Sequence, residues 1–187
     1  MGQHYLRSLF SPRSVAVIGA SERTNAVGEI VFRNILGSGY TGLLYPVNPA
    51  HQEVQGRRAY ATIEQIETPV DLAVICTEAE TVPDIIEACG KHGVRAAVVL
   101  SAGFTEVGAR GAALERAILA NAKNYGVRII GPNCLGMIRT AIGLNATFFK
   151  GSVKAGNLAL VSQSGALCTA ILDWAQANDI GFSSVVS

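Results

Sequence analysis

The chain has 187 residues, 49% of them hydrophobic, with a formal net charge of +1. That length and composition support a sizeable buried core, while the near-neutral balance, with no arginine-rich or lysine-rich run, excludes a basic nucleic-acid stripe. The longest apolar stretches, around Val94 to Phe104 and Leu158 to Trp174, are broken by Arg95 and Ser101 or by Ser162, Gln163 and Ser164, so no membrane-spanning segment is expected.

The amino terminus, Met1 to Arg7, has basic residues but no apolar h-region, so it does not read as a secretory signal, and Leu6 stands where a myristoylation motif needs Ser or Thr. Five strand-like runs follow: Ser14–Ile18, Gly42–Val47, Asp71–Ile75, Ala96–Leu100 and Val127–Ile130. Each stops at a turn of small or polar residues: Gly19-Ala-Ser21, Asn48-Pro49, Cys76-Thr-Glu78, Ser101-Ala-Gly-Phe104 and Gly131-Pro-Asn-Cys134. Between them the period becomes helical. Ile30, Val31, Asn34, Ile35 and Leu36 share one face of a helix stopped by Gly37 and Gly39. Val82, Ile85, Ile86 and Cys89 share another that ends at Gly90 or Gly93, and Ala113, Leu114, Ala117, Ile118 and Ala122 a third stopped by Gly126.

Strands buried on both faces and alternating with helices predict an α/β fold, a Rossmann-like doubly wound parallel sheet over residues 1–144. Residues 145–187 read as a glycine-punctuated connector and the first β-α-β part of a second α/β domain: a strand at Asn157–Val161, a turn at Ser162–Gly165, a helix from Ala166 to Ala177 and a strand beginning at Gly181. A sheet that stops at its second strand cannot bury its faces, so the chain reads as a fragment truncated within that domain.

In an open parallel sheet the ligand lies outside the carboxyl ends of the strands, so the five turns describe one crevice for a large, phosphate-bearing ligand. The turn from Gly19 to Gly28 offers small residues and backbone N–H groups ahead of a helix start, which favours phosphate. It lacks the G-x-G-x-x-G spacing, with Ser21 in place of the second glycine. A NAD site needs an acid at the end of the second strand; here the strand runs into Asn48-Pro49 with no acid until Glu53. Asn48, His51, Arg57 and Arg58 are candidate donors to a ribose that carries an additional phosphate. The four cysteines, Cys76, Cys89, Cys134 and Cys168, have no C-x-x-C spacing and read as reduced thiols of a cytoplasmic protein. Cys76 and Cys134 fall at strand ends without a companion histidine, so they read as small filler and not as nucleophiles.

Val15-Ala-Val-Ile-Gly-Ala-Ser21, Val47-Asn-Pro49, Leu100-Ser-Ala-Gly-Phe104, Gly131-Pro-Asn-Cys-Leu-Gly136, Leu144-Asn-Ala-Thr-Phe148 and Val161-Ser-Gln-Ser-Gly-Ala166 with Asp173-Trp174 together resemble the NDP-forming acyl-CoA synthetase superfamily. That superfamily includes ADP-forming acetate–CoA ligases, the alpha subunit of succinyl-CoA synthetase and the ligase-like region of GNAT-fused protein lysine acetyltransferases. The resemblance implies a CoA-binding domain followed by a flavodoxin-like second domain, with CoA or acetyl-CoA across the strand ends. Gly19, Ala20, Ser21, Asn25 and Gly28 would meet the phosphates, and Val47, Asn48 and Pro49 would flank the nucleotide. Thr77, Val82, Pro83, Ser101, Ala102, Gly103 and Phe104 would line the crevice floor, with Asn133 near the thiol. Ala50 departs from the lysine that many relatives carry after the Asn-Pro pair, so Arg57, Arg58 or a residue from elsewhere would have to supply that cation.

The resemblance further makes Ser162, Gln163, Ser164 and Gly165 a phosphate-binding helix start that steadies a phosphohistidine arriving from farther along the chain. None of His4, His51 and His92 follows that motif, and His92 reads as a helix C-cap. No catalytic residue and no metal ligand is expected within the chain. ATP or ADP with Mg²⁺ would belong to the full-length protein and not bind here, as the chain has no Walker sequence and no ATP-grasp region. The implied partners are the remaining domains or an ATP-grasp subunit, a small acyl substrate and, at full length, a homo-oligomer, with neither nucleic acid nor membrane. Two roles stay open: part of an acyl-CoA ligase, or an acetyl-CoA-sensing region of a fused acetyltransferase. A Rossmann-like module for another nucleotide is a third.

Overall fold

The structure is a computed structural model that describes residues 6–187. The readings of the extreme amino terminus, including His4, lie outside the described residues. The first part runs α1 (Leu6–Phe10), β1 (Ser14–Ile18), α2 (Val27–Gly37), β2 (Leu43–Val47), a small hairpin β3 (Glu53–Val54) and β4 (Arg57–Arg58), β5 (Leu72–Ile75), α3 (Val82–Lys91), β6 (Ala96–Val99), α4 (Ala109–Tyr125) and β7 (Arg128–Ile130). The remainder is β8 (Gly136–Arg139), β9 (Leu144–Thr147), β10 (Ala155–Val161), α5 (Gly165–Ala177) and β11 (Phe182–Val186).

The five expected strands form one parallel sheet in the order β2-β1-β5-β6-β7. Alternation within each strand feeds two cores. Ala16, Ile18, Ala73 and Ile75 join the side covered by α3 and α4 through Ile86, Cys89, Ile118 and Ala122. Val15, Val17, Leu72 and Val74 join the side covered by α2 through Val31, Phe32 and Ile35. The sheet is therefore doubly wound. Pro46, which has no N–H for a ladder, is tolerated because β2 is an edge strand. Helix α4 ends on Gly126, whose φ of 69° suits a residue without a Cβ. His92 is the C-cap of α3, its backbone N–H donating to Ala88 O, and the Gly93 N–H donates to Gly90 O.

The second sheet has the order β10-β11-β8-β9, with β10 and β11 parallel and the other pairs antiparallel. The expected β-α-β start is β10, α5 and β11. Pairing in this sheet begins at Gly136, ahead of the expected close of the first unit at Leu144, because β8 and β9 form a hairpin that hydrogen-bonds to β11. The same hairpin packs Met137, Leu144 and Ala146 into the core under α2. Asn34 of α2 donates to the carbonyls of Thr147 and Phe149, each at 2.8 Å. The hairpin thus belongs to the second sheet by hydrogen bonds and to the first core by packing, which fixes α5 over the end of the first sheet.

Candidate functional site at the strand ends

Sheet order reverses at β1, since the chain goes outward to β2 and returns to β5 on the other side. Such a switch point leaves a crevice beyond the strand ends. Two cavities occupy it. One, of about 580 Å³, is lined by Gly19, Val47, Asn48, Pro49, Thr62 and Thr77, over a floor of Ile18, Ile63 and Ile85. The other, of about 690 Å³, is lined by Val27, Thr77, Ser101, Ala102, Asn133 and Phe148, and also by Gln163 and Gly165. Thr77 lines both, which makes them adjoining halves of one crevice.

The loop after β1 is shaped by close approach. Gly19 has φ +87°, and a Cβ there would meet Thr77 Cγ2 at 3.0 Å. A Cβ on Gly28 would lie 1.8 Å from the Gly19 carbonyl oxygen, so only glycine lets the first turn of α2 press against the loop. Ala26 at the N-cap offers no side-chain acceptor, leaving the leading N–H groups of α2 without a side-chain partner. Asn25, with φ 65°, precedes that turn.

Asn48 lines the first cavity and also ties two loops together. Its Nδ2 donates to the Ala20 carbonyl at 2.7 Å and its Oδ1 accepts from the Ala50 N–H at 2.8 Å. Both ends of the amide are therefore engaged in holding the β1 and β2 loops together. His51, Arg57 and Arg58 are exposed and line neither cavity, and the Arg58 guanidinium sits 5.5 Å from the centre of the Tyr60 ring.

On the other side of the switch point, Asn133, with φ 55°, donates its backbone N–H to Ser101 O at 2.9 Å. The Ser101 hydroxyl is buried and has no partner among the described residues, at the wall of the second cavity. Helix α5 starts opposite. Ser164 Oγ accepts from the Leu167 N–H at 3.2 Å, and Ser162 Oγ accepts from the Ser164 N–H at 3.0 Å. These two bonds order the turn so that Gln163, Gly165 and Ala166 line the cavity.

Cys76 and Cys134 also line this cavity, and all four cysteines are free thiols. Burial pushes the Cys134 thiol up to about 12, and it raises Cys76 as well. Neither is poised as a nucleophile.

Of the residues proposed from sequence, Gly19, Val47, Asn48, Pro49, Thr77, Ser101, Ala102, Asn133, Gln163 and Gly165 line the crevice. Ala20, Ser21 and Asn25 belong to the loop beside it, Gly28 to the first turn of α2, Gly103 to the turn after Ser101, and Ser162 and Ser164 to the ordered turn before α5. Val82 and Phe104 are fully buried and Pro83 is buried at the start of α3, so their side chains build the core beneath and not the crevice surface. Glu78, from one of the five strand-end turns, lines the first cavity, and sequence reasoning missed Thr62, Glu64 and Asp84 there and Phe148 on the second. Glu64 lies between β4 and β5, Glu78 in the turn after β5 and Asp84 at the start of α3, none of them at the end of β2 where a NAD site needs its acid.

A family profile for a CoA binding domain matches residues 13–140, and one for a succinyl-CoA ligase like flavodoxin domain matches residues 155–187. The chain is 46% identical over 182 residues to the ADP-forming acetate–CoA ligase I of Archaeoglobus fulgidus, covering 97% of this chain and 26% of that protein. It is 43% identical to the alpha subunit of ADP-forming acetate–CoA ligase I of Pyrococcus furiosus, covering 97% of this chain and 40% of the subunit. The dinucleotide-forming acetyl-coenzyme A synthetase 1 of Ca. Korarchaeum cryptofilum, solved with phosphate and ADP, superposes with a TM-score of 0.93 at 41% identity, covering 97% of this chain and 39% of that one. The chain spans well under half the length of these relatives. None of the three is an acetyltransferase, and the sensor reading gains no support from them. From its fold, its paired domain matches and these likenesses, the chain belongs to the CoA-binding domain family and, through it, to the NDP-forming acyl-CoA synthetase superfamily.

Proposed function

We propose that this chain binds CoA or acetyl-CoA across the strand-end crevice, as the amino-terminal portion of an acyl-CoA synthetase. The whole protein would convert an acyl acid, CoA and ATP to acyl-CoA, ADP and phosphate through a phosphohistidine. The observation that carries this reading is that Gln163 and Gly165, at the start of α5, open into the same cavity as Ser101 and Asn133. A thiol end and a phosphate-steadying helix start would thus face each other across one space, which is what capture of an activated acyl group by CoA requires.

In this arrangement the adenine side of CoA occupies the cavity floored by Ile18, Ile63 and Ile85, where its base is desolvated. The diphosphate passes the Gly19–Gly28 loop at the start of α2, and the pantetheine runs toward Ser101 and Asn133, whose cavity has an unpartnered hydroxyl to offer. ATP, Mg²⁺ and the phosphorylated histidine belong to parts of the protein beyond this chain. So do an ATP-grasp domain or subunit and the assembly of a homo-oligomer. No helix among the described residues is long and apolar enough to cross a membrane, and the free thiols accord with a cytoplasmic setting.

Isothermal calorimetry with CoA, dephospho-CoA and NAD tests the reading. The expected result is that CoA binds at least about tenfold more tightly than NAD, on the order of 1.4 kcal/mol. Equal affinity for NAD would overturn it.

A further inference from the structure

We infer that Lys150, carried by the loop between β9 and β10 of the second sheet, is the cation that meets the diphosphate of the bound nucleotide. The inference rests on the CoA reading above and assigns a residue outside the residues 13–140 matched to the CoA binding domain.

Four observations converge on it. First, Lys150 Nζ donates to Asn25 Oδ1 at 3.0 Å, across 125 positions of sequence, which sets the ammonium group beside the residue that leads into α2. Second, Lys150 is exposed and pairs with no carboxylate among the described residues, so its charge is not already neutralised. Lys154, only four positions on, is instead held by Asp179 at 2.6 Å. Third, Val27, two residues after Asn25, and Phe148, two residues before Lys150, both line the second cavity, while Lys150 itself lines a separate cavity with Arg33 and Asn34 of α2. Fourth, the place beside the Asn-Pro turn offers no cation: Ala50 follows Pro49, and His51, Arg57 and Arg58 line neither cavity. The first cavity carries Glu64, Glu78 and Asp84 instead, which disfavour a phosphate group there.

An anion passing the start of α2 would find uncapped N–H groups, and the ammonium held beside Asn25 would complete its neutralisation. Asn25 holds the lysine in place when no anion is present. Because Lys150 belongs to the loop joining β9 to β10, its engagement would also tie the second sheet's position to occupancy of the first domain.

The test is calorimetry on the purified chain and its variants Lys150→Met, Lys150→Arg and Lys154→Met, with CoA and dephospho-CoA as probes. Lys150→Met should weaken both ligands by the same factor, about tenfold, with a shallower salt dependence. Lys150→Arg should stay close to the parent, and Lys154→Met should be unchanged. Circular dichroism on each variant checks that the fold is retained, as expected for an exposed side chain. Unchanged affinity in Lys150→Met would overturn the inference while leaving the CoA reading standing. Weakening confined to CoA would move Lys150 to the 3′-phosphate and overturn its assignment to the diphosphate. Failure of the parent chain to bind CoA at all would overturn the reading and the inference together.

Discussion

The Asn48 side-chain amide donates to the carbonyl of Ala20 at 2.7 Å, joining the loop after β2 to the loop after β1. With its oxygen also accepting from Ala50, the side chain sets the spacing of the two loops that flank the first cavity and keeps one N–H of its NH2 group for a ligand. Asn48→Asp replaces that donor by a carboxylate facing a carbonyl oxygen. CoA affinity should fall by about 1 to 3 kcal/mol, and the melting temperature should fall with it. An unchanged melting temperature alongside the affinity loss would show that Asn48 touches the ligand directly.

Gly28→Ala tests the glycine contact that shapes the phosphate loop. The added methyl would lie 1.8 Å from the Gly19 carbonyl oxygen, a backbone atom that cannot swing aside. The loop must move away from α2, at a cost of about 1 to 3 kcal/mol of stability, and CoA binding should weaken markedly. This is a cleaner probe than a substitution at Gly19, where a positive φ strains any side chain before a ligand arrives. Thermal denaturation and calorimetry on the same sample would read both effects.

Cys134 should resist alkylation despite lining the crevice. Burial pushes its thiol up to about 12, and its Sγ–H donates to the Val99 carbonyl at 3.4 Å. A raised value keeps the protonated, unreactive form below that pH. Labelling by iodoacetamide at pH 8 should therefore run about a thousandfold slower than for a free cysteine and accelerate with each unit of pH. Peptide mapping by mass spectrometry checks it; rapid modification at pH 7 would mean that the thiol is activated and has a chemical role.

The purified chain should form no acetyl-CoA above background from acetate, CoA and ATP. Neither His51 nor His92 lines the cavity beside α5, so no histidine among the described residues stands there to carry a phosphoryl group to the helix start. A coupled assay for ADP release, run with and without the remaining domains supplied in trans, measures this. Robust turnover by the chain alone would mean that the phosphoryl acceptor has been misplaced.

The parallel sheet was legible because β1, β5 and β6 are uninterrupted buried runs, and burial on both faces leaves no polar residue to confuse the period. The turns after them were legible for the same reason, since each run stops abruptly. The β8–β9 hairpin was not: Gly136–Arg139 and Leu144–Thr147 are short, and their pairing with β11 depends on a partner far along the chain. The role of Asn48 was half legible. Its identity excludes an acid at the strand end, but only the geometry shows both amide ends occupied. Phe104 and Val82 were placed on the crevice by motif position, whereas their apolar side chains turn into the core. Lys150 carried no signal at all, because nothing local connects a connector lysine with Asn25.

The central claim is the direction in which CoA lies across the strand ends, and a crystal structure of the chain grown with CoA tests it most directly. The account predicts adenine over Ile18, Ile63 and Ile85, the diphosphate beside Gly19 to Gly28, and the thiol in the cavity shared by Ser101, Asn133, Gln163 and Gly165. Density showing the thiol outside that cavity, or the diphosphate away from the start of α2, would contradict it.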